Sequence, residues 1–252
     1  MRRTKLYALS GVTLCAVGGI ALLFAIKRPI ELQPSFQRTV TPNTLDYKET
    51  ITRLEAQRLS LATRFQTASP SHRTALISEA RTVILGSIYN DVFPAWYGTA
   101  WDFNGTSETP QQGKIACGYF VSTVLRDAGL KVQRVRLAQQ ASENIILSLT
   151  TNDFVKRFRG VPIGEFVAAI KDWGSGIYIV GLDIHVGFIF NTGDDIYFIH
   201  SSYEGPYKVI KEKAIDSRIL AASNYRVLGR VFADAQLISN WLTGKAIATR
   251  VS

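Results

Sequence analysis

GKIACGYFVSTVLRDAG, residues 113–129, places a cysteine at the head of a buried helix. Glycines and a proline lead into it (Gly105, Pro110, Gly113), which marks a loop. From Cys117 onward Phe120, Val121, Val124, Leu125 and Ala128 recur at helical spacing, and Gly129 supplies a C-terminal stop. A cysteine in a first helical turn faces backbone N–H groups that lack internal partners. That setting favours thiolate over thiol, although a lone cysteine is also a small core residue.

Downstream of the helix the periodicity changes to that of strands. Ile177–Leu182, Ile184–Phe190 and Ile196–His200 are apolar and β-branched, with Asn191-Thr192-Gly193-Asp194 as a hairpin turn between the last two. Val209-Ile210 and Tyr225–Phe232 complete a sheet of about five strands, and Asp234 caps a last helix over 235–242. Between cysteine and sheet, residues 139–148, 151–158 and 163–173 read as helices. Helices first and a meander of strands later make an α+β fold.

His185 and His200 fall near the start of one strand and at the end of the next, which an antiparallel pair brings to the same end of the sheet. Cysteine chemistry needs such a set: a base to share the thiol proton, and a polar group to orient that base. Of the two cysteines Cys15 lies in the N-terminal apolar run; three histidines and Cys117 offer no tetrahedral metal site, and no glycine loop for phosphate is present, so neither metal nor cofactor is expected.

Cys117 opening a helix, His-Val-Gly-Phe-Ile-Phe at 185–190 and Phe-Ile-His-Ser-Ser at 198–202 together resemble the NlpC-type cell-wall cysteine peptidases, a papain-like family, over about Trp96 to Phe232. The resemblance implies a papain-like core in residues 93–252. It also implies Cys117 as nucleophile, His185 as general base and His200 as the orienting third residue. Peptidoglycan stem peptides would be the substrate. The Gly105-Thr106-Ser107 run is similar to the family's glycine loop, and Trp101 stands roughly where the family has a tyrosine. Ala116-Cys117-Gly118 replaces the usual Asp-Cys-Ser, so Asp102 is the nearest carboxylate for a substrate amine; otherwise stems without a free amine are accepted. The long span from Cys117 to His185 implies an extra helical insertion around 139–173. An amidase or acyltransferase acting on lipid or protein amides is a second possibility. A non-catalytic wall-binding domain of the same fold is a third.

The N-terminal region adds a location. Arg2, Arg3 and Lys5 precede an uncharged run from Leu6 to Ile26, about the 20 apolar residues that one helix needs to cross a bilayer. The run is long for a cleaved signal and ends without a small-residue cleavage site, which favours an anchor in residues 1–28 and an extracytoplasmic domain. Pro29, Pro34 and Pro42 make 29–43 a tether, and 44–92 a helical extension broken at Ser69-Pro70-Ser71, with Ser71 as N-cap. The extension packs on the catalytic domain or forms a stalk. A net charge of +9 with scattered basic residues and no nucleic-acid motif suits either attraction to an anionic lipid or wall polymer or a plain solvated surface, and no nucleic-acid partner is expected. Phe93 to Thr106, dense in aromatics, suits either a cleft wall or a hydrophobic brace under a loop.

Overall fold

The long apolar runs from residue 176 to 201 show little in/out alternation because the sheet they form is covered on both faces. Ile177, Ile179, Val186, Phe188, Phe190, Ile199 and Val227 point into one core, and Tyr178, Val180, Ile189, Phe198 and Leu228 into another on the opposite face. The computed structural model describes residues 44–251. The proposed membrane segment and tether therefore lie outside the described residues. Among the described residues no helix is long and apolar enough to cross a membrane.

The chain begins with two long helices, α1 (Thr44–Thr67) and α2 (Pro70–Ser87), followed by a π turn (Ile88–Val92) and the short α3 (Phe93–Trp96). Ser69, not Ser71, is the N-cap of α2; Pro70 occupies the first turn, where its missing N–H is harmless. Two-residue strands β1 (Ala100–Trp101) and β2 (Lys114–Ile115) pair in parallel and lead into α4 (Cys117–Asp127). Then come β3 (Lys131–Val132), α5 (Arg134–Ala138), α6 (Ser142–Leu149), β4 (Val155–Arg159) and α7 (Ile163–Trp173). The main strands β5 (Gly176–Leu182), β6 (Val186–Asn191), β7 (Ile196–Ser201) and β8 (Val209–Lys213) follow. α8 (Arg218–Ala222), β9 (Tyr225–Gly229), α9 (Ala235–Thr243) and β10 (Ala246–Ile247) close the chain, with β10 parallel to β3. Asp234 caps α9 through its carboxylate to the Gln236 N–H, at 2.8 Å.

The fold is α+β. Its main sheet is antiparallel and has six strands in the order β4-β9-β5-β6-β7-β8. The sixth strand corrects the helical reading of 151–158: only Asn152–Phe154 turns, and Val155–Arg159 pairs along β9. Val155 and Phe158 sit three apart and imitate a helix. The side chains that alternate with Val155 and Phe158 are charged, as suits an edge strand. The supposed insertion thus contributes a strand to the sheet itself. The helix expected over 139–148 is α6, which begins three residues later at Ser142 and runs to Leu149.

α1 and α2 share the larger core with α4 and α9, through Leu54, Leu61, Phe65, Leu76 and Ile84. They are not a stalk. Tyr47 donates to Asp127 on α4 (2.6 Å) and accepts from the Trp96 indole (3.0 Å). Arg58 reaches the α9 carbonyls of Trp241 and Leu242 at 3.1 and 3.2 Å, where a cation complements the negative helix end.

Candidate active site

α4 starts at Cys117, and its start is held from three sides. The Ala116 N–H donates to the Gly105 carbonyl (2.8 Å), and Ser201 on β7 donates to the Ile115 carbonyl (2.7 Å). The backbone N–H groups of Val186, Gly118 and Cys117 lie near the Cys117 sulfur and favour its thiolate form. Val186 opens β6 directly after His185, so the thiol lies against the backbone of the residue that follows the first histidine.

The two histidines meet as the antiparallel reading requires. His185 Nε2 lies 2.9 Å from His200 Nδ1, with the rings nearly perpendicular at 85°. His200 is fully buried and stacks on Phe198, with ring centroids 3.9 Å apart. Gly187 makes room for this: a Cβ there would stand 2.8 Å from His200 Cβ and 2.7 Å from the Phe198 ring. On its far side His200 Nε2 is 3.2 Å from Glu212 Oε1. His185 Nδ1 is buried and has no hydrogen-bond partner. It is the one position on this chain of rings still open to an incoming proton donor.

Electrostatics depart from the sequence expectation for the thiol. Burial pushes the Cys117 thiol above its ordinary value, and the three N–H groups offset only part of that rise. Burial also holds His185 well below the usual histidine range, with the His200 charge acting in the same direction. His200 is lowered by burial too, against the opposing pull of Glu212. Both departures favour a neutral thiol and neutral imidazoles at rest.

The remaining expected site residues divide into two groups. Trp101 joins an aromatic wall, with Tyr203 at 6.4 Å and Tyr207 at 6.2 Å between centroids. Tyr203 continues that wall to the His185 ring, 5.0 Å away between centroids. Asp102 and Gly105, by contrast, help to line an open pocket of about 380 Å³ with Asn104, Ser107 and Lys114; Cys117, His185 and His200 do not line it. The Asp102 carboxylate is already occupied, accepting from the Asn104 N–H (2.9 Å) and pairing with Lys114 (3.1 Å). A Cβ at Gly105 would sit 2.6 Å from the Ile115 nitrogen, so this glycine permits the loop to close on β2. Phe93 and Trp96 belong to the core, which makes the first half of the aromatic segment a brace and leaves Trp101 to the wall.

Glu212, Tyr203 and Tyr207 escape a reading of the sequence. Glu212 sits in Val-Ile-Lys-Glu-Lys, which looks like a solvated strand end; only the pairing of Phe198 with Glu212 turns it toward His200. Among the described residues no group of three or more His, Cys, Asp and Glu side chains is placed to hold a metal ion. Compared with known proteins, the chain matches no family model, no curated sequence and no solved structure.

Proposed function

We propose that the protein is a papain-like cysteine hydrolase of NlpC type that cleaves amide bonds, with peptidoglycan stem peptides as substrate, anchored to the cytoplasmic membrane through residues 6–26. The observation that carries the reading is the buried, partnerless Nδ1 of His185, whose other nitrogen is held by His200, beside the helix start that bears Cys117. In this chemistry Cys117 Sγ attacks the amide carbonyl carbon while His185 Nδ1 takes the thiol proton. Backbone N–H groups at the start of α4 face the oxyanion. The C–N bond then breaks, and His185 returns the proton to the leaving amine. Water attacks the thioester with His185 again as base, the C–S bond breaks and the thiol is restored.

The engaged state of Asp102 supports the version in which the stem needs no free amine. A second reading, hydrolysis or transfer at an amide carrying an acyl chain, draws on the apolar rim: Phe103 beside Asp102 and Ile184 beside His185 are 80% and 78% exposed. The test is to incubate the full-length chain with free and N-acetylated stem peptides and with N-acyl amides, and to identify products by mass. Equal turnover of the free and acetylated stems is expected. Preference for a free amine that survives Asp102→Asn refutes the amine-independent specificity, turnover of neither stem refutes the stem assignment, and turnover unchanged in Cys117→Ala refutes the thiol mechanism.

A further inference from the structure

A Cys-His-His set needs no fourth member, yet the outer nitrogen of His200 is hydrogen-bonded to a carboxylate. We infer that Glu212 is a positioning residue that fixes the tautomer of both imidazoles and thereby leaves His185 Nδ1 without a proton. The inference rests on the roles proposed for Cys117 and His185, but its central observable does not.

A carboxylate can only accept, so the 3.2 Å contact places a proton on His200 Nε2. The neutral His200 ring then has a bare Nδ1, which must accept across the 2.9 Å contact from His185 Nε2. His185 in turn is left with a lone pair on Nδ1, the buried atom that has no partner. The reverse arrangement turns a His200 lone pair toward the Glu212 carboxylate and buries an N–H on His185 Nδ1 with no acceptor. The ring-to-ring bond survives in reverse, but the favourable contact with Glu212 becomes a repulsive one and a buried partnerless N–H takes the place of a lone pair. Tautomer control from the far end of a hydrogen-bonded chain is a known way to orient a catalytic imidazole.

The sheet holds Glu212 for this task. On β8 it pairs directly with Phe198, the residue whose ring stacks on His200, so Glu212 and His200 lie on one face of the β7–β8 ladder. Ser217, which caps α8 through the Leu220 N–H at 3.3 Å, is a second hydrogen-bond partner of the carboxylate. Burial raises Glu212, but the bonds from His200 and Ser217 bring it below the usual carboxylate range, so it is ionised at neutral pH. The other titratable groups set around the two rings are Cys117 on α4 and Tyr203 after β7. Asp183, two residues before His185, is committed to Ser223, Asn224 and Tyr225.

The chain has only three histidines, so two-bond ¹H–¹⁵N correlation on the full-length, ¹⁵N-histidine-labelled protein resolves every ring. At about pH 8, above the ordinary histidine range, His185 and His200 should each carry their proton on Nε2. Glu212→Gln should keep that pattern, because the amide carbonyl accepts the same bond. Glu212→Ala should give a mixture of tautomers and lower kcat/KM about tenfold, the scale of one charge-assisted hydrogen bond. Removing the carboxylate should also move the acid limb of the pH profile lower in both variants. A proton on His185 Nδ1 in the wild type, or an unchanged tautomer in Glu212→Ala, overturns the inference even if the chain hydrolyses amides. The predicted tautomers in a chain that turns over no amide would sustain it and refute the hydrolase assignment instead.

Discussion

Gly118, the residue after the proposed nucleophile, can be tested against a built-in control. Gly118 and Gly164 are each the second residue of an 11-residue helix, α4 and α7. Replacing either with alanine restricts the unfolded chain equally, a gain of about 0.4–1 kcal/mol where the native backbone accepts it. Their surroundings differ. A Cβ on Gly164 meets nothing within 4 Å, whereas one on Gly118 would overlap the backbone carbonyl oxygen of Ala138, with the carbonyl carbon 3.2 Å away. A backbone atom cannot swing aside, so α5 must shift as a unit, and overpacking of this kind costs about 1–3 kcal/mol. Gly164→Ala should therefore stabilise the protein and Gly118→Ala should fall about 1–3 kcal/mol below it. For a domain of this size that is a gap of about 2–12 °C in Tm. Thermal unfolding of the two variants and wild type under one buffer measures it. A Gly118→Ala protein that melts with or above Gly164→Ala would refute the close approach of α5 to the head of α4. The same contact explains why no serine follows Cys117: its Cβ has no space.

Cys117→Ala and His185→Ala should each abolish turnover with the fold intact by circular dichroism, while His200→Asn should retain more activity than His200→Ala because asparagine can still orient His185. Equal loss in the two His200 variants would count against an orienting role. Both buried histidines are lowered from the ordinary 6.5, so the unfolded chain takes up protons first as pH falls. Stability is then fully present above that value and declines below it, by up to about 1.4 kcal/mol per pH unit for each histidine. Urea midpoints should fall on acidification through this range, with His72→Ala, an exposed ring, behaving as wild type; a flat profile would contradict the burial of the pair. Arg58→Ala should lower stability by about 1–3 kcal/mol, read from urea titration, because it strips the partner from the Trp241 and Leu242 carbonyls. A change under about 0.5 kcal/mol would place it with ordinary surface substitutions.

Where local chemistry and tertiary pairing agree, the sequence is legible. Asn191-Thr192-Gly193-Asp194 sets the β6–β7 hairpin, and the hairpin alone brings His185 to His200. The cysteine helix begins and ends where its apolar spacing and Gly129 say it should. Legibility fails where a residue's meaning depends on register. β4 reads as helix because its two apolar residues are three apart, and only pairing with β9 makes it a strand. Glu212 depends on how β8 aligns with β7 across the loop 202–208, whose length and turn residues leave that alignment open. The roles of α1 and α2 were equally open, since an amphipathic hairpin looks the same on a stalk as in a core.

At the thiol, helix position and burial act in opposite directions, and burial prevails. A helix start does supply N–H groups that favour a thiolate, those of Gly118 and Cys117, joined by Val186. What the sequence does not display is how far the thiol is withdrawn from water once α4 packs on the core that holds Phe120 and Phe188. Burial then raises the thiol and lowers the imidazole, and each change works against a resting thiolate–imidazolium pair. In the proposed chemistry the proton therefore moves as the sulfur attacks, not before. That timing suits the geometry. Low polarity weakens no donor, and N–H dipoles fixed at the head of α4 act most strongly on charge that appears only in the transition state. A chain of two neutral rings ending in a carboxylate is then best placed to receive the proton, since the positive charge that arises on His185 is passed toward Glu212 by hydrogen bonds already made.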